Sequence, residues 1–171
     1  MALVKLKKSQ FIIFLDTAKD KTFAANTWTR IDKSTIFDLA YNPQTTSNDY
    51  IDSDMPEEEV DNYQPELPQE IVLVEGNPMY DFISEMAYNL PTGEEVKVPY
   101  LLAFGGSTKR AWRGIATILV NNLNSVEGKI SFTIKFNTID KGTYETVEGK
   151  PVFTKADDVV DNGDDNGEAQ G

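Results

Sequence analysis

The sequence predicts a mainly β chain: an antiparallel β-sandwich or barrel with one flanking α-helix and a long proline-rich arm. Three observations carry this reading. Lys129 to Asn137 alternate strictly, with Ile130, Phe132, Ile134 and Phe136 on one face and Lys129, Ser131, Thr133 and Lys135 on the other, the period of a half-buried strand. Most other apolar runs are short and punctuated by Gly, Asn or Pro, as strands and turns are. Only one stretch has helical spacing, and a single helix beside many antiparallel strands fits a layered β architecture.

Taken in order, the first element is Phe11–Leu15 (FIIFL), a buried strand. Thr27–Ile31 and Thr35–Ala40 follow as strands, then Glu70–Val74. The helix comes next. Asn77 caps it, Pro78 suits its first position, and Met79, Tyr80, Ile83, Met86, Ala87 and Leu90 form one apolar stripe. Asn89 and Pro91 end it, and Thr92-Gly93 turns the chain back. Val98–Phe104 is a strand, and the glycines of Gly105-Gly106-Ser107-Thr108-Lys109 make a hairpin turn. Trp112–Val120 alternates through Trp112, Gly114, Ala116, Ile118 and Val120. The turn-rich link NNLNSVEG joins it to the strand from Lys129, giving a long antiparallel hairpin. Thr143–Val147 and Pro151–Thr154 add a short final pair.

Residues 41–69 lack clear periodicity and hold four prolines, Pro43, Pro56, Pro65 and Pro68, which argue against a helix or a central strand. Loops beyond about 12–15 residues in compact domains are usually functional or disordered. This one keeps apolar residues at Tyr50, Ile51, Met55, Val60 and Tyr63, so it is read as an ordered arm within a single domain over 1–155. Residues 156–171 hold six acids, no bases and little to bury, and are read as a disordered acidic tail.

Charge is segmented. The whole chain carries 16 basic and 28 acidic residues, net −12. Residues 1–33 are net +4, 34–96 net −15 with no base at all, 97–155 net +5 and 156–171 net −6. Solvated faces explain such a pattern without further assumption. Complementary surfaces on neighbouring copies also explain it, through a head-to-tail contact that closes into rings or extends into stacks.

Composition excludes much chemistry. With no Cys and no His, disulfides, thiolate zinc sites, cysteine nucleophiles, histidine metal sites and serine–histidine triads are absent. The acidic balance opposes general affinity for nucleic-acid phosphates. The Gly105–Lys109 cluster lacks the spacing of a phosphate loop. Asp161, Asp164, Asp165 and Glu168 fail the spacing of a calcium loop. Paired carboxylates lie in acidic runs with no apolar pocket to split their pKa values. Catalytic, cofactor and metal residues are therefore expected to be none, and the chain is not read as an enzyme. FIIFL supplies five apolar positions, short of the ~7–15 of a secretory core, and no run approaches the ~18 of a membrane span. The expectation is a soluble protein made in a cytoplasm.

The stretch from Trp28 to Phe104 resembles the phage tail tube proteins, the major tail proteins of long-tailed bacteriophages. The order is a strand with Trp28 and Ile31, a second through Phe37, then Tyr41-Asn42-Pro43-Gln44-Thr45-Thr46 and Asp49-Tyr50-Ile51. Val60, Tyr63 and Pro65 follow, then Pro68-Gln69-Glu70, and Gly76-Asn77-Pro78 opens the helix Tyr80-Asp81-Phe82-Ile83. Ala111-Trp112, Val126-Glu127-Gly128-Lys129-Ile130 and Gly149-Lys150-Pro151 extend the likeness to residue 154. The resemblance implies a structural virion protein, without an active site. It implies homohexameric rings stacked into a hollow tube around a tape-measure protein, completed by tail terminator and tip proteins. Genomic DNA passes through the lumen without sequence-specific binding. By that analogy the interface candidates are Lys5, Lys7 and Lys8 at the start, with Asp49, Tyr50, Asp52, Asp54, Glu57, Glu58, Glu59 and Asp61 in the arm. Size agrees: a chain of this length is about 40 Å across, and six in a ring leave a hole of about the same width. The competing reading is a monomeric β-sandwich carbohydrate-binding module that uses Trp28, Trp112 and tyrosines. A carboxylate-based hydrolase is a more distant one.

Overall fold

The computed structural model describes residues 2–156. The expected tail lies outside them apart from Ala156, as do the four acids weighed for calcium. Among the described residues are ten strands and one α-helix: β1 (Ile12–Asp16), β2 (Trp28–Arg30), β3 (Pro43–Asn48), β4 (Glu57–Tyr63), β5 (Glu66–Val72), α1 (Pro78–Asn89), β6 (Lys97–Ala103), β7 (Arg110–Asn124), β8 (Lys129–Phe136), β9 (Asp140–Val147) and β10 (Lys150–Lys155). All pairings are antiparallel. The mainly β fold with one flanking helix is the one the sequence predicts.

The long strand β7 organises the body. One of its edges carries β6, which pairs on with β1 and then β2. Its other edge carries β8 along Ala116–Asn124 and β9 along Arg110–Arg113. β5 continues the sheet beyond β8, and β10 continues it beyond β9. Between the pairs Ala116↔Phe136 and Arg113↔Asp140, two residues of β7 face three of the partner chain. That extra residue is a β-bulge, which divides the sheet into two wings. Asn137 and Thr138 both donate backbone N–H groups to the Ile115 carbonyl, and the Ile115 N–H donates to Thr138 Oγ1 at 2.8 Å. Gly114 makes this approach possible, since a Cβ there would lie 2.1 Å from the Thr138 oxygen. The buried Tyr100 hydroxyl donates to the same oxygen at 2.7 Å; burial, with Asp140 nearby, pushes its pKa above the usual phenol range.

The sheet curls nearly shut. After β2 the chain crosses to the far edge of β5, touching it at Ser34↔Ile71 and Ala40↔Glu66. The enclosed core draws alternate residues from each wall: Ile13 and Leu15, Val98, Tyr100 and Leu102, Ala116 and Ile118, Ile130, Phe132 and Ile134, Leu67 and Ile71. Met79, Ile83 and Met86 of α1 join the same cluster. The helix starts as expected, with the Asn77 side chain accepting from the Met79 and Tyr80 amides and Pro78 in the first turn. It ends with Leu90 in the left-handed region.

Two expectations are corrected. Thr35–Ala40 is not a strand but an irregular crossing with those two isolated bridges. Ser34 Oγ exchanges hydrogen bonds with the Ile36 backbone, a local alternative to a ladder. The strand expected at Glu70–Val74 begins earlier, at Glu66, and runs through Pro68. Glu66 and Glu70 turn their backbone groups to the sparsely paired edge. Pro68 shares their parity, so its missing N–H costs no bond to β8.

Two polar residues are buried among the described residues, Asp16 and Gln69, and the first is the charged one. Asp16, fully buried, accepts from the Ala18 and Thr27 amides on Oδ1 at 2.9 and 2.8 Å. Its Oδ2 accepts from the Asp20 amide at 2.7 Å and from Asn26 Nδ2 at 2.6 Å. The carboxylate thereby shapes the loop over residues 17–27. That loop places Phe23 over the Arg113 guanidinium, with Phe153 of β10 also against it, at 4.5 and 4.6 Å.

Candidate inter-subunit interface

β3 and β4 form a two-stranded sheet separate from the main one. All strand residues except Asn48 are exposed, and each strand packs broadly only against the other. The prolines explain why this segment is an edge hairpin. Pro43 opens β3, and Pro56 directly precedes β4, where no ladder N–H is needed. A bulge between Gln44 and Thr45 kinks the pair, and Thr46 hydrogen-bonds the Asp61 carboxylate across it. At the root, Asn42 and Gln64 join their backbones, next to the Ala40↔Glu66 bridge. The arm is ordered by its own ladder. The apolar residues that suggested order do not hold it to the body: Ile51, Met55, Val60, Tyr50 and Tyr63 are all exposed.

Its surface is uniformly acidic. Residues 43–63 contain seven acids (Asp49, Asp52, Asp54, Glu57, Glu58, Glu59 and Asp61) and no base. Asp49, Asp52 and Asp54 lie at the tip, and the other four on β4. Like charges on neighbouring positions repel, a cost that a cationic partner surface would offset. An isolated two-stranded hairpin is marginal in water, so this one gains most from a third element laid against it.

Lys5, Lys7 and Lys8 sit in an exposed N-terminal segment. Leu3 and Val4 are exposed beside them. The segment then makes a short 3-10 turn at Lys8–Gln10, fastened by the Lys7 amide donating to Gln10 Oε1 at 2.8 Å. It passes the Gly105-Gly106 turn, where a Cβ on Gly105 would lie 2.8 Å from Gln10 Cβ. No ion pair joins these lysines to the arm acids among the described residues. The structure does not bring the two halves of the expected interface together within one chain.

Ionised groups elsewhere serve the fold. Glu94 bridges Lys97 at 2.6 Å and Lys21 at 3.0 Å, and those bonds hold its carboxyl down at about 2. Glu70, held by Lys129 and Thr35, is also lowered. A hollow beside α1 holds Glu85 and Glu95, with Lys19, but both acids are exposed, without the apolar surroundings that separate an acid from a base. Among the described residues there is no group of three or more acids suited to a metal, and no helix is long and apolar enough to cross a membrane. Trp28 and Trp112 do not share a platform: β2 lies three strands from β7 in the sheet. Trp112 instead meets Tyr41, Phe104 and Phe136 edge-on.

Sequence reasoning missed the surface around Trp112, a groove shared with Tyr41, Phe104, Arg110 and Lys141. Tyr41, the Phe104–Trp112 hairpin and Lys141 come from three separate parts of the chain, and the β7–β9 register sets Lys141 beside Trp112.

No family model matches the sequence, and no curated protein matches it. Two solved structures are similar in part. One is a chain of the cryo-EM structure of the anti-feeding prophage baseplate: TM-score 0.45, 6% identity, covering 84% of this chain and 98% of that one. The other is from the sheath/tube terminator of an extracellular contractile injection system, in the extended state: TM-score 0.47, 9% identity, covering 82% and 99%. Likeness at this level assigns no role.

Proposed function

We propose that this chain is a structural component of a tail-type particle and, more narrowly, a tube subunit that assembles with copies of itself into stacked hexameric rings. The observation that carries the reading is the β3–β4 hairpin: an ordered, wholly acidic arm standing off a closed β body, with nothing of its own to pack against. The order of motifs from Trp28 to Phe104 that resembles the tail tube proteins supports it. In this reading the arm acids meet a cationic surface on the next copy, with the exposed Lys5, Lys7 and Lys8 as its candidate. The tip residues Ile51 and Met55 supply apolar contact. The acidic balance of the whole chain suits a lumen through which DNA slides, because cationic walls would retain phosphates.

Negative-stain electron microscopy of the purified protein, from dilute to concentrated solution, tests this. Rings or hollow tubes of uniform width are expected. Reversing the arm charges with Glu57→Lys, Glu58→Lys and Glu59→Lys should disturb them while leaving the circular-dichroism spectrum unchanged. Isolated particles at every concentration overturn self-assembly. Unchanged tubes from the charge-reversed arm remove it from the interface.

A further inference from the structure

A groove of about 900 Å³ opens where the chain leaves β2 and crosses to β5, within the ~300–1,000 Å³ of recognition pockets. Lys8, Arg30 and Lys33 stand on its walls, and all three are exposed. None of them pairs with a carboxylate among the described residues. The one acid in the lining, Asp32, is already engaged, since Asn77 Nδ2 donates to its Oδ1 at 2.8 Å. Three cations against one acid leave the groove net positive. Its other walls include apolar surface. Phe11 and Phe37 meet with ring centroids 5.9 Å apart, and Ile36 and Phe37 are 38% and 41% exposed. The crossing wall is held in place by side chains. Gln69 Nε2 and Ser34 Oγ each donate to the Ile36 carbonyl at 2.9 Å. A surface fixed in advance spares the ordering cost of docking.

The tip of the arm has the opposite character. Asp49, Asp52 and Asp54 lie among Ile51, which is fully exposed, and Met55, which is 74% exposed. Its turn is closed by the Ser53 amide donating to the Tyr50 carbonyl at 3.1 Å. Three acids and two apolar side chains thus answer three cations and an apolar wall. No arm residue lines the groove of its own chain. Tip and groove are different surfaces, so joining them links copies head to tail, the geometry that closes into rings or runs on into stacks.

We propose that the arm tip of one copy seats in this groove of the next. Ile51 and Met55 pack against Phe11, Ile36 and Phe37, and the tip acids face Lys8, Arg30 and Lys33. This contact rests on the self-assembly reading above and supplies its receiving surface. Charge sets register and encounter rate, so added salt slows docking, while apolar contact holds the docked state.

The chain has no cysteine, so single cysteines report the contact. Ile51→Cys on one chain and Ser9→Cys, in the groove lining, on another should form a mixed disulfide. It should form at least about tenfold faster than Ile51→Cys with Ser125→Cys, because docking raises the effective concentration. Ser125 lies in the β7–β8 turn, outside the groove. Arg30→Glu/Lys33→Glu in the Ser9→Cys chain should abolish the excess, and Asp52→Lys/Asp54→Lys in the Ile51→Cys chain should restore it. Circular dichroism of each variant checks that the body is folded. Electron microscopy of the same samples separates the contact from the reading it rests on. Rings or tubes without excess cross-linking overturn the contact and leave self-assembly standing, whereas neither assembly nor cross-link overturns both. Cross-linking that ignores the charge reversal also overturns the contact. So does a disulfide that forms only within the Ile51→Cys/Ser9→Cys double variant, since the arm would then occupy its own groove. Excess cross-linking lost and regained with the charges supports it.

Discussion

Asp16→Asn is the sharpest test of how this fold is held. The substitution keeps the shape of the side chain and removes its charge. In the native loop each carboxylate oxygen accepts two hydrogen bonds, from Ala18 and Thr27 on one side and from Asp20 and Asn26 on the other. Whichever way the new amide turns, its NH2 faces two donors and can accept from neither. Two hydrogen bonds to a buried charge are lost, at about 1.5–3 kcal/mol each, so the cost is about 3–6 kcal/mol. That is a large part of the ~5–15 kcal/mol by which a domain is stable. For a chain of this size it lowers Tm by roughly 6–24 °C. Thermal unfolding followed by circular dichroism measures the shift, and hydrogen exchange reads the Ala18, Asp20 and Thr27 amides. A shift under about 2 °C with those amides still protected would refute the reasoning.

Gly114→Ala should destabilise by about 1–3 kcal/mol or more, because the new Cβ meets backbone at the bulge rather than a movable side chain; denaturant titration measures it, and unchanged stability would mean the bulge relaxes freely. Tyr100→Phe removes one buried bond to the same Thr138 oxygen and should cost about 1–2 kcal/mol, in the same assay. Glu94→Gln should alter the pH dependence. The carboxyl is lowered from 4.5 to about 2 in the folded chain, so its contribution is complete above pH 4.5 and is lost as pH falls toward 2. The stability gap between wild type and variant should therefore narrow across that window, and a gap constant with pH would contradict the pairing with Lys21 and Lys97.

What the sequence shows depends on what each strand buries. β8 is legible because one face meets the core and the other is half-exposed, so Ile130, Phe132, Ile134 and Phe136 alternate with polar residues. β6 offers a continuous run from Val98 to Ala103, since it is buried on both faces, and only its length and flanking turns identify it. β4 is invisible as a strand. EEEVDNY has no apolar period because neither face of the hairpin is covered by its own body. Alternation reports one-sided burial, and a strand that waits for another surface does not carry it. The bulge after Phe136 likewise leaves no pattern, although Gly114 in an otherwise apolar strand marks where backbone approaches closely. For the same reason the acids of the arm can be named from composition, while the groove around Trp112 cannot. The groove depends on a register between segments 30 residues apart in the chain, at Arg110–Arg113 and Asp140–Thr143.

The independence of the hairpin separates two kinds of selection acting on one chain. A library screened only for soluble, folded protein would accept nearly any polar residue from Glu57 to Asp61, yet would discard changes at Asp16, Gly114 or Tyr100. A screen that also demands assembled particles would add constraints at the arm and leave the first set unchanged. The difference between the two tolerance maps, residue by residue, would draw the outline of whatever surface the arm serves, even while its partner is unidentified.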